Sequence, residues 1–184
     1  MAGDAVIRAA ASEDLDAFFA YLNDHLRDNG SGATALFMPM ARAASRFGPE
    51  RESAFRSATT TALGQPGWRR LWLAFDAQGG IAGHIDLRAR PEGACAHRAL
   101  LGMGVQRDAR KQGLGARLID VAAIWAAGEA GLDWIDLEVL SVNVPARELY
   151  ARCGFVRTGE MADMFRIDGE ALAYTFMSRK VRKL

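Results

Sequence analysis

The residues best suited to chemistry lie in a short segment where an apolar stretch gives way to a helical pattern. This segment runs from Val105 to Gly115 and contains Arg110, Lys111 and Gly113. At a helix N-terminus the backbone N–H groups have no acceptor within the helix, and the helix dipole favours an anion there. The two glycines let a phosphate approach the backbone closely, and the two basic residues add positive charge. The segment therefore predicts a diphosphate-binding loop; an ordinary turn with glycines that pack the helix is the alternative.

Two better-known phosphate loops do not fit the sequence. A nucleoside-triphosphate loop needs a second glycine followed by Lys and then Ser or Thr, and no such string occurs at the required spacing. A dinucleotide-binding fingerprint that starts at Gly102 needs a glycine at position 107, where the sequence has Arg107. The segment therefore predicts a diphosphate site of another kind.

Three polar residues follow in a second segment, which reads as a strand, a turn and a short helix. Glu138 lies in an apolar run, and a carboxyl buried there without a partner has its pKa raised toward that of a general base. Asn143 brings an amide that can both donate and accept hydrogen bonds, and Tyr150 lies two helical turns further on. A salt-bridge partner, a helix N-cap and a core residue are the respective alternatives.

Hydrophobic periodicity and turn signals place both segments in a mixed α/β fold. A first helix with apolar residues from Leu15 to Leu26 follows the N-cap Ser12, residues 30–49 read as a loop or broken helix, and Glu50–Leu63 predicts a second helix. A third predicted helix begins near Leu114, and a fourth spans Pro145–Arg152. The predicted strands are Val6–Arg8, Leu71–Phe75, Ile81–Arg88, Ala99–Val105, Trp134–Leu140, one starting at Phe155–Thr158, and one around Ala171–Met177. The order β-α-α-β-β-β-α-β-α-β-β indicates a sheet that is mostly antiparallel early, with parallel crossovers at the two later helices.

Together the two segments resemble the GCN5-related N-acetyltransferase (GNAT) superfamily. Its phosphate loop has Gln or Arg, then Gly three residues later, then Gly or Ala, which matches Arg110, Gly113 and Gly115. The strand before the loop matches the usual lead-in. The later pattern of the superfamily is matched at Leu137, Val139, Asn143, Ala146, Leu149, Tyr150, Gly154 and Phe155. These motifs cover residues 100–158, and the predicted element order extends the resemblance to nearly the whole chain.

The resemblance implies an α/β (α+β) fold with a mixed, mostly antiparallel central sheet flanked by helices. A splayed pair of parallel strands, ending at Val105 and Leu140, would hold acetyl-CoA. Backbone groups of Met103, Gly104 and Val105 would bind the pantetheine arm and polarise the thioester carbonyl. The diphosphate would bind the loop N–H groups of Arg110, Lys111, Gln112, Gly113, Leu114 and Gly115. Asn143 would orient the pantetheine or a water, and no metal is implied.

The implied activity is the transfer of an acetyl group from acetyl-CoA to a primary amine of a small molecule or peptide. The amine must lose a proton before it attacks, and Glu138 is the candidate base. In the branch of the superfamily that acetylates protein N-termini, a glutamate at this place has that role. Tyr150 resembles the general acid that protonates the leaving thiolate. The alternative is a non-catalytic CoA-binding regulatory module on the same fold, which would need no proton donor.

The acceptor is less well defined than the donor. The N-terminal third, which usually shapes the acceptor site, matches no pattern, so an aminoglycoside, a polyamine, an amino acid and a peptide terminus stay open. Asp24, Asp86 and Asp136 could attract a cation. Two loop positions also depart from the usual pattern: Arg107 stands where proline is common and Lys111 where glycine is common. Neither change removes a loop N–H group.

Composition predicts an ordinary globular chain. It has 184 residues, 50% of them hydrophobic and 24% charged, with a net charge of +1. We therefore expect one domain, residues 1–184, with no general attraction to nucleic acid or to a membrane surface. The resemblance implies that this is an N-acetyltransferase domain. Cys95 and Cys153 form no metal-type pair, which favours a reducing cytoplasm. Residues 1–4 show no signal peptide, and no apolar run is long enough to span a bilayer.

The remaining noticeable residues are expected to be structural. The three histidines, His25, His84 and His97, share no metal-ligand spacing, and we expect surface or satisfied core positions for them. Packing is expected for the tryptophans, which are Trp68, Trp72, Trp125 and Trp134. The basic segment from Arg179 to Lys183 is expected to be solvated, which disfavours an RNA-binding function. Dimers are common among similar proteins, so a homodimer is a further expectation.

Overall fold

The computed structural model describes residues 5–182. This part of the chain contains seven strands and four α-helices. The strands are β1 (Val6–Ala9), β2 (Arg69–Phe75), β3 (Ile81–Ala89), β4 (Arg98–Val105), β5 (Trp134–Leu140), β6 (Val156–Ile167) and β7 (Glu170–Lys180). The helices are α1 (Leu15–Leu26), α2 (Pro49–Thr60), α3 (Leu114–Gly128) and α4 (Val144–Arg152). This element order is the one that the sequence predicts. Residues 1–4, on which the expectation of no signal peptide rests, and Lys183 of the basic segment lie outside the described residues.

All seven strands form one sheet, in the order β1-β2-β3-β4-β5-β7-β6. Neighbouring strands are antiparallel except β4 and β5, which are parallel and connected by α3. The crossover through α4 also connects two strands that run in the same direction, β5 and β6, as the sequence predicts. These two strands are not neighbours, because β7 turns back from β6 and inserts between them, antiparallel to both.

Strand β6 is long and irregular. The sequence predicts a strand that starts at Phe155–Thr158, and β6 runs from Val156 to Ile167. Its pairing with β7 shifts register twice, and Asp163 adopts a left-handed backbone with φ of 52°. Such bulges interrupt the alternation of polar and apolar residues that strand prediction depends on. The predicted start of the strand is therefore confirmed, whereas its bulges were not predicted.

The parallel strands β4 and β5 stay together for only part of their length. They pair at Arg98 with Trp134, at Ala99 with Ile135, and at Leu100 with Asp136. Beyond these three pairs the ladder ends, although β4 continues to Val105 and β5 to Leu140. The sheet therefore contains an internal gap that is closed at one end. The splayed parallel pair that the superfamily resemblance implies is confirmed.

Helices cover the sheet on both faces, as the alternation along β2 requires. Trp72 and Ala74 face a core that includes α3, in which Leu118 and Ile119 are fully buried. The alternate residues Leu71 and Leu73 face a second core with α1 and α2. Three of the tryptophans pack in the α3 core as expected, with Trp125 in ring contact with Trp68 and Trp72. Within residues 5–182, no helix has both the length and the apolar character of a membrane span.

A buried asparagine organises the irregular segment that follows α1. The Asn29 carbonyl oxygen accepts from the N–H groups of Phe37 and Met38, at 2.8 and 3.0 Å. Its amide nitrogen donates to Met38 O and to Ser45 Oγ, at 3.1 and 2.8 Å. Its four hydrogen bonds fix the segment against α1, and this segment carries Phe37 to the face of the sheet described below.

A buried carboxylate closes the end of the gap. Asp136, in the last pair of the β4–β5 ladder, is only 6% exposed. It accepts from Arg98 Nε of β4 at 2.8 Å, from Arg90 at 3.0 Å and from Ser178 of β7 at 2.7 Å. Burial alone would raise the pKa of Asp136, but these donors outweigh burial and hold the pKa below its usual range. Asp136 thus ties β3, β4, β5 and β7 together at the point where the ladder ends.

Removing the charge of Asp136 should weaken the protein in a pH-dependent way. Because the folded pKa is depressed, this stabilisation is fully present above the pKa of the unfolded chain, near 4, and is lost as pH falls below it and through the lower pKa of the folded state. We expect Asp136→Asn to lower the free energy of unfolding at pH 7 by about 2–4 kcal/mol, since two guanidinium groups lose their partner. The difference from the wild type should shrink below about pH 4. Denaturant titrations at several pH values measure both effects.

Asp133 provides the matched control for that experiment. Its carboxylate has no hydrogen bond or ion pair within residues 5–182, so Asp133→Asn should change stability little at any pH. Equal stability of the Asp136→Asn variant and the wild type at pH 7 would contradict the assigned role.

Candidate functional site

The loop before α3 presents a row of backbone donors without acceptors. The N–H groups of residues 111–115 form no hydrogen bond within residues 5–182, and the first backbone bonds of α3 begin at Ala116 and Arg117. Gly113 is the N-cap, with φ of 82°, and Lys111 also has a positive φ, of 61°. Left-handed residues alternating with ordinary ones turn successive N–H groups toward one concavity, which suits an anion. The geometry agrees with the predicted diphosphate loop.

The left-handed backbone at position 111 explains a departure seen in the sequence. A residue with a side chain costs about 1 kcal/mol more than glycine in this conformation. Glycine is thus the unstrained choice at Lys111, which fits its frequency there in the resembling superfamily. The lysine side chain is exposed beside the row of donors.

The two loop glycines have different roles, which the sequence did not separate. A Cβ at Gly113 would meet no atom within 4 Å, so this face of the loop is open to a ligand. A Cβ at Gly115 would lie 2.8 Å from Leu149 Cδ2, because α3 and α4 pack closely there. The prediction that Gly115 makes room for a phosphate is therefore wrong. Gly115 makes room for α4, and only its N–H faces the loop.

Arg110 is directed away from the row of donors, contrary to the prediction that it adds charge to it. Its Nε donates to Val105 O at 3.1 Å and its Nη2 lies 3.2 Å from Asp28 Oδ2. Arg107 pairs with the same carboxylate at 3.1 Å and with Asp24 at 3.3 Å. The hydrogen bond from Arg107 is the main reason that the pKa of Asp28 is lowered. These arginines fasten the loop to the end of α1, and Lys111 supplies the exposed charge.

The backbone of β4 offers further donors and acceptors on its gap side. Gln106 N–H donates to Ala82 O of β3 at 2.9 Å, and the direction of backbone groups alternates along a strand. Gly104 therefore also points to β3, while Met103 and Val105 point into the gap beyond the last β4–β5 pair. Of the three residues predicted to bind pantetheine, Met103 and Val105 face the required direction. Gly104 contributes by its lack of a side chain.

Glycines at alternate positions of β4 open the face of the sheet opposite α3. A Cβ at Gly102 would lie 2.6 Å from Asp86 Oδ1, and a Cβ at Gly104 would lie 2.7 Å from His84 Cε1. The side chains of β3 thus lie across β4 toward the gap. This arrangement follows from two alternating sequence pairs, Gly102 with Gly104 and His84 with Asp86, whose register could not be known before the structure.

Glu138 is exposed, and the prediction that it is buried in an apolar strand is wrong. Leu137 and Val139 face the α3 core, whereas the intervening Glu138 faces the opposite side, which no helix covers at β5. Counting on from the last β4–β5 pair places Glu138 across the gap from Gly102. Its carboxylate has no hydrogen bond or ion pair within residues 5–182. The burial argument for a general base therefore fails, but the residue borders the gap.

Tyr150 is buried at the other side of the sheet, where it packs against Phe155 with ring centroids 5.9 Å apart. Burial is the main cause that raises its pKa, and the neighbouring Tyr174 and Cys153 add to the effect. The phenol is therefore fully protonated at neutral pH. Its hydroxyl has no hydrogen-bond partner within residues 5–182, so it is available as a donor.

Asn143 is the N-cap of α4, with its side-chain oxygen 3.4 Å from Ala146 N. This was the structural alternative considered for it, and the cap leaves the amide N–H groups free of protein partners in the described residues. Asn143 thus positions the helix that carries Tyr150 and keeps donors available on the turn after β5.

A cluster of three side chains beside Gly104 was not predicted. Tyr21 Oη lies 3.3 Å from both Gly104 O and His84 Nδ1. His25 stacks on Tyr21 and contacts Phe37, with ring centroids 6.0 and 4.8 Å apart. Burial lowers the pKa of His25 to about 4 and that of His84 to about 3. The spacing of residues along the sequence did not predict this cluster, because its members come from α1 and β3, which are far apart in the chain.

The aspartates proposed to attract a cation are already neutralised by arginines. Asp86 pairs with Arg69 and Arg88 at 3.5 and 3.4 Å, and Asp24 and Asp136 pair with arginines as described above. That expectation is corrected. The basic segment at the C-terminus is also not a free tail, since Arg179 and Lys180 belong to β7. Within residues 5–182, no group of three or more His, Cys, Asp or Glu side chains is placed to hold a metal ion.

Comparison with known proteins agrees with this geometry. Residues 36–155 match a family model described as the acetyltransferase (GNAT) family. Among curated protein sequences, no significant match was found. The GNAT-family acetyltransferase from Streptococcus pneumoniae is 22% identical, with 96% of this chain and 99% of that chain covered and a TM-score of 0.77.

Two further solved structures carry more specific names. A GNAT phosphinothricin acetyltransferase from Sinorhizobium meliloti, in complex with acetyl-CoA, is 20% identical over 97% of this chain and 89% of its own, with a TM-score of 0.77. A variant of spermidine N-acetyltransferase from Vibrio cholerae is 20% identical over 95% and 94%, with a TM-score of 0.69. At these identities the structures show a shared fold, and the predicted fold class is confirmed.

A charged side chain at Gly113 should show whether the loop binds an anion, independently of any effect on its folding. We expect Gly113→Glu to abolish measurable binding of coenzyme A in calorimetry, because a carboxylate would occupy the face that N–H groups 111–115 present to a diphosphate. Gly113→Ala is the control: it carries the same backbone strain, about 1 kcal/mol, but no charge. Equal affinities of Gly113→Glu and Gly113→Ala would show that this face of the loop binds no anion.

Proposed function

Because the chain belongs to the acetyltransferase (GNAT) family, and is therefore an acyltransferase, we propose that it transfers the acetyl group of acetyl-CoA to a primary amine. The observation that carries this proposal is the combination of two backbone surfaces at one place. One is the row of unpaired N–H groups at residues 111–115. The other is the gap side of β4 beyond the last β4–β5 pair, where Val105 O already accepts from Arg110 Nε and Met103 has no neighbouring strand. A diphosphate joined to an extended amide-containing arm has the groups to bind both.

The proposed donor complex assigns a task to each surface. The loop holds the diphosphate, and Met103 and Val105 bind the amide groups of the pantetheine arm as a missing strand would. A backbone N–H placed at the thioester carbonyl stabilises the oxyanion that forms on attack, an effect typically worth about 3 kcal/mol. Asn143, whose amide N–H groups are free, orients the arm or a water at the turn.

The proposed acceptor complex uses the opposite face of the sheet. The amine approaches the gap between Gly102 and Glu138, where a negative charge favours an ammonium group. Glu138, directly or through water, takes the proton that this ammonium must lose before attack. Tyr150 donates a proton to the thiolate that leaves. Holding amine and thioester together contributes further as an effective-concentration effect.

The acceptor is proposed as a primary amine of a small molecule or a peptide. Two similar structures are named for phosphinothricin and for spermidine, and both compounds carry a primary amine. We also propose that residues 1–184 act as one N-acetyltransferase domain, in the cytoplasm and without nucleic acid, membrane or metal, and that a homodimer is a testable assembly.

A non-catalytic CoA-binding module is the second candidate. It shares the loop and the gap, so those features do not separate the two functions. Tyr150 favours the enzyme, because its protonated hydroxyl has no partner in the described part of the chain. A hydroxyl left without a protein partner is available as a proton donor, which a protein that only binds does not need.

The direct test combines ligand binding with turnover. Coenzyme A at about 100 times its dissociation constant should stabilise the native state by about 2.7 kcal/mol, which a thermal scan detects as a higher melting temperature. A thiol-release assay with acetyl-CoA, across amino acids, polyamines, aminoglycosides and peptides, should show release that depends on the amine. Stabilisation without release from any amine would favour the binding module, and no stabilisation at about 1 mM would contradict both functions.

Tyr150→Phe tests the proposed proton donor. The substitution keeps the ring and its contact with Phe155 but deletes the hydroxyl. We expect kcat to fall about 100-fold or more, within the range of general acid catalysis, with little change in coenzyme A affinity or melting temperature. Full turnover in the variant would make Tyr150 a core residue only. A parallel loss of stability would mean that the hydroxyl has a structural role.

A further inference from the structure

We propose that His84 is a catalytic residue whose Nε2 accepts the proton lost by the acceptor nitrogen as it bonds to the acetyl carbon. This inference rests on the proposed acetyl transfer and adds a residue that the sequence had placed in the core. Glu138 and His84 act on different protons: Glu138 on the ammonium before attack, and His84 on the nitrogen during attack.

The position of His84 follows from the glycine at 104. Its Cε1 atom lies 2.7 Å from the position that a Cβ of Gly104 would take. Gly104 is flanked by Met103 and Val105, whose backbone faces the gap. A thioester bound along β4 therefore has His84 on the acceptor side and the α3 layer on the other. His25 Nε2 of α1 lies beside the ring of His84, 2.9 Å from the same Cβ position, so both imidazoles border the backbone of β4 at Gly104.

A hydrogen-bond chain fixes which ring nitrogen of His84 carries hydrogen. Gly104 O can only accept, so Tyr21 must donate its single hydroxyl hydrogen to it, at 3.3 Å. The same hydroxyl lies 3.3 Å from His84 Nδ1 and can then only accept from it. His84 is thereby held as the Nδ1–H tautomer, which leaves a lone pair on Nε2. Tyr21 is a positioning residue in this scheme.

The free lone pair of His84 is open to a ligand. Nε2 has no hydrogen-bond partner within residues 5–182. It is also absent from the fully enclosed side-chain atoms of that range that lack a hydrogen bond, which are His25 Nδ1, Arg69 Nε and Arg179 Nη1. His84 is otherwise enclosed, with 7% of its surface exposed. The exposed part of the ring therefore includes the nitrogen that can accept a proton.

Burial, together with nearby basic groups, keeps Nε2 of His84 unprotonated. Burial is the main cause that lowers the pKa of His84 to about 3, and His25 of α1 and Arg69 of β2 lower it further. The other groups that face it are Tyr21, whose pKa is raised by burial, and the ring of Phe18. His84 is thus in its acceptor form throughout the neutral and mildly acidic range. It needs no prior deprotonation.

A weak base is sufficient for the proton concerned. When the neutral amine attacks, the new C–N bond makes its nitrogen positive, and the electron-withdrawing carbon makes that N–H far more acidic than an ammonium. The proton passes from nitrogen to Nε2, the C–S bond breaks, and the thiolate takes a proton from Tyr150. His84 then releases its proton to solvent, from which Tyr150 is reprotonated. Amine and acetyl-CoA give amide and free thiol, with every proton accounted for.

The tautomer of His84 can be measured without turnover. Two-bond nitrogen–hydrogen correlation spectra of the imidazoles should show hydrogen on Nδ1 and a bare Nε2 from about pH 5 to 8. In Tyr21→Phe the Nδ1 partner is gone, and the two tautomers should mix. Hydrogen on Nε2 in the wild-type protein would overturn the proposal, whatever the protein acetylates.

Substitutions then separate the proton-accepting role from packing. His84→Phe keeps a ring of similar size and deletes both nitrogens, while His84→Asn places an amide near Nδ1, where it can still donate to Tyr21. We expect kcat to fall about 100-fold or more in both variants, with coenzyme A affinity retained. Full activity of His84→Asn would show that only the bond to Tyr21 matters and would overturn the proposal. His97→Gln, at an exposed histidine, should leave kcat unchanged.

The pH profile distinguishes His84 from Glu138. Glu138→Gln should slow the reaction most at low pH, where the acceptor is an ammonium. The loss in His84→Phe should be nearly constant above about pH 5, because His84 does not titrate there. A loss in His84→Phe that disappears at high pH would contradict the assigned step. Absence of activity in the wild type with every amine would instead contradict the proposed acetyl transfer, and the tautomer measurement would still stand.

Discussion

The early end of the β4–β5 ladder is the constraint on which the other features of the site depend. Two parallel strands that separate after three pairs leave backbone donors and acceptors facing an internal gap. Such groups are costly to leave unpaired, so a ligand with extended amide chemistry has a place prepared for it. The α3 N-terminus lies just beyond β4 and extends the same unpaired surface to an anion. Asp136, bound by arginines from the strands beside it, keeps the separation from running back along the sheet.

The gap also divides the chemistry between two faces of the sheet. Alternation along β5 sends Leu137 and Val139 into the core with α3 and α4, and Glu138 to the open face. The same alternation along β4 puts the gap-facing backbone between a buried phenol and a histidine. The proposed proton donor and the proposed proton acceptors thus lie on opposite faces of the sheet. Burial sets their states, keeping Tyr150 protonated and His84 unprotonated at the same pH.

Local sequence predicted most of the fold, because its elements carry strong local signals. Local patterns predict these elements directly: the helical spacing predicts α3, the apolar runs predict β2 and β5, and the glycines predict the loop before α3. What the sequence missed depends on register. Glu138 looked buried because its neighbours are apolar, yet alternation places it outside. Arg110 looked like a ligand of the anion until the fold brought Asp28 to it. The cluster of Tyr21, His25 and His84 spans two distant elements, and the bulges of β6 erase the alternation by which a strand is recognised.

Unpaired strand edges carry a risk of association that the internal gap between β4 and β5 avoids. On the outside of a sheet, a row of free N–H and C=O groups is a template on which another chain can pair, and aggregation follows. In this protein the free edges of β4 and β5 face each other inside the sheet, and the wedge between them is closed at the Asp136 end. A second folded molecule cannot bring a strand into that wedge. The backbone groups of β4 and β5 in the gap can therefore stay available to a slender ligand without pairing with a strand of another copy of this protein.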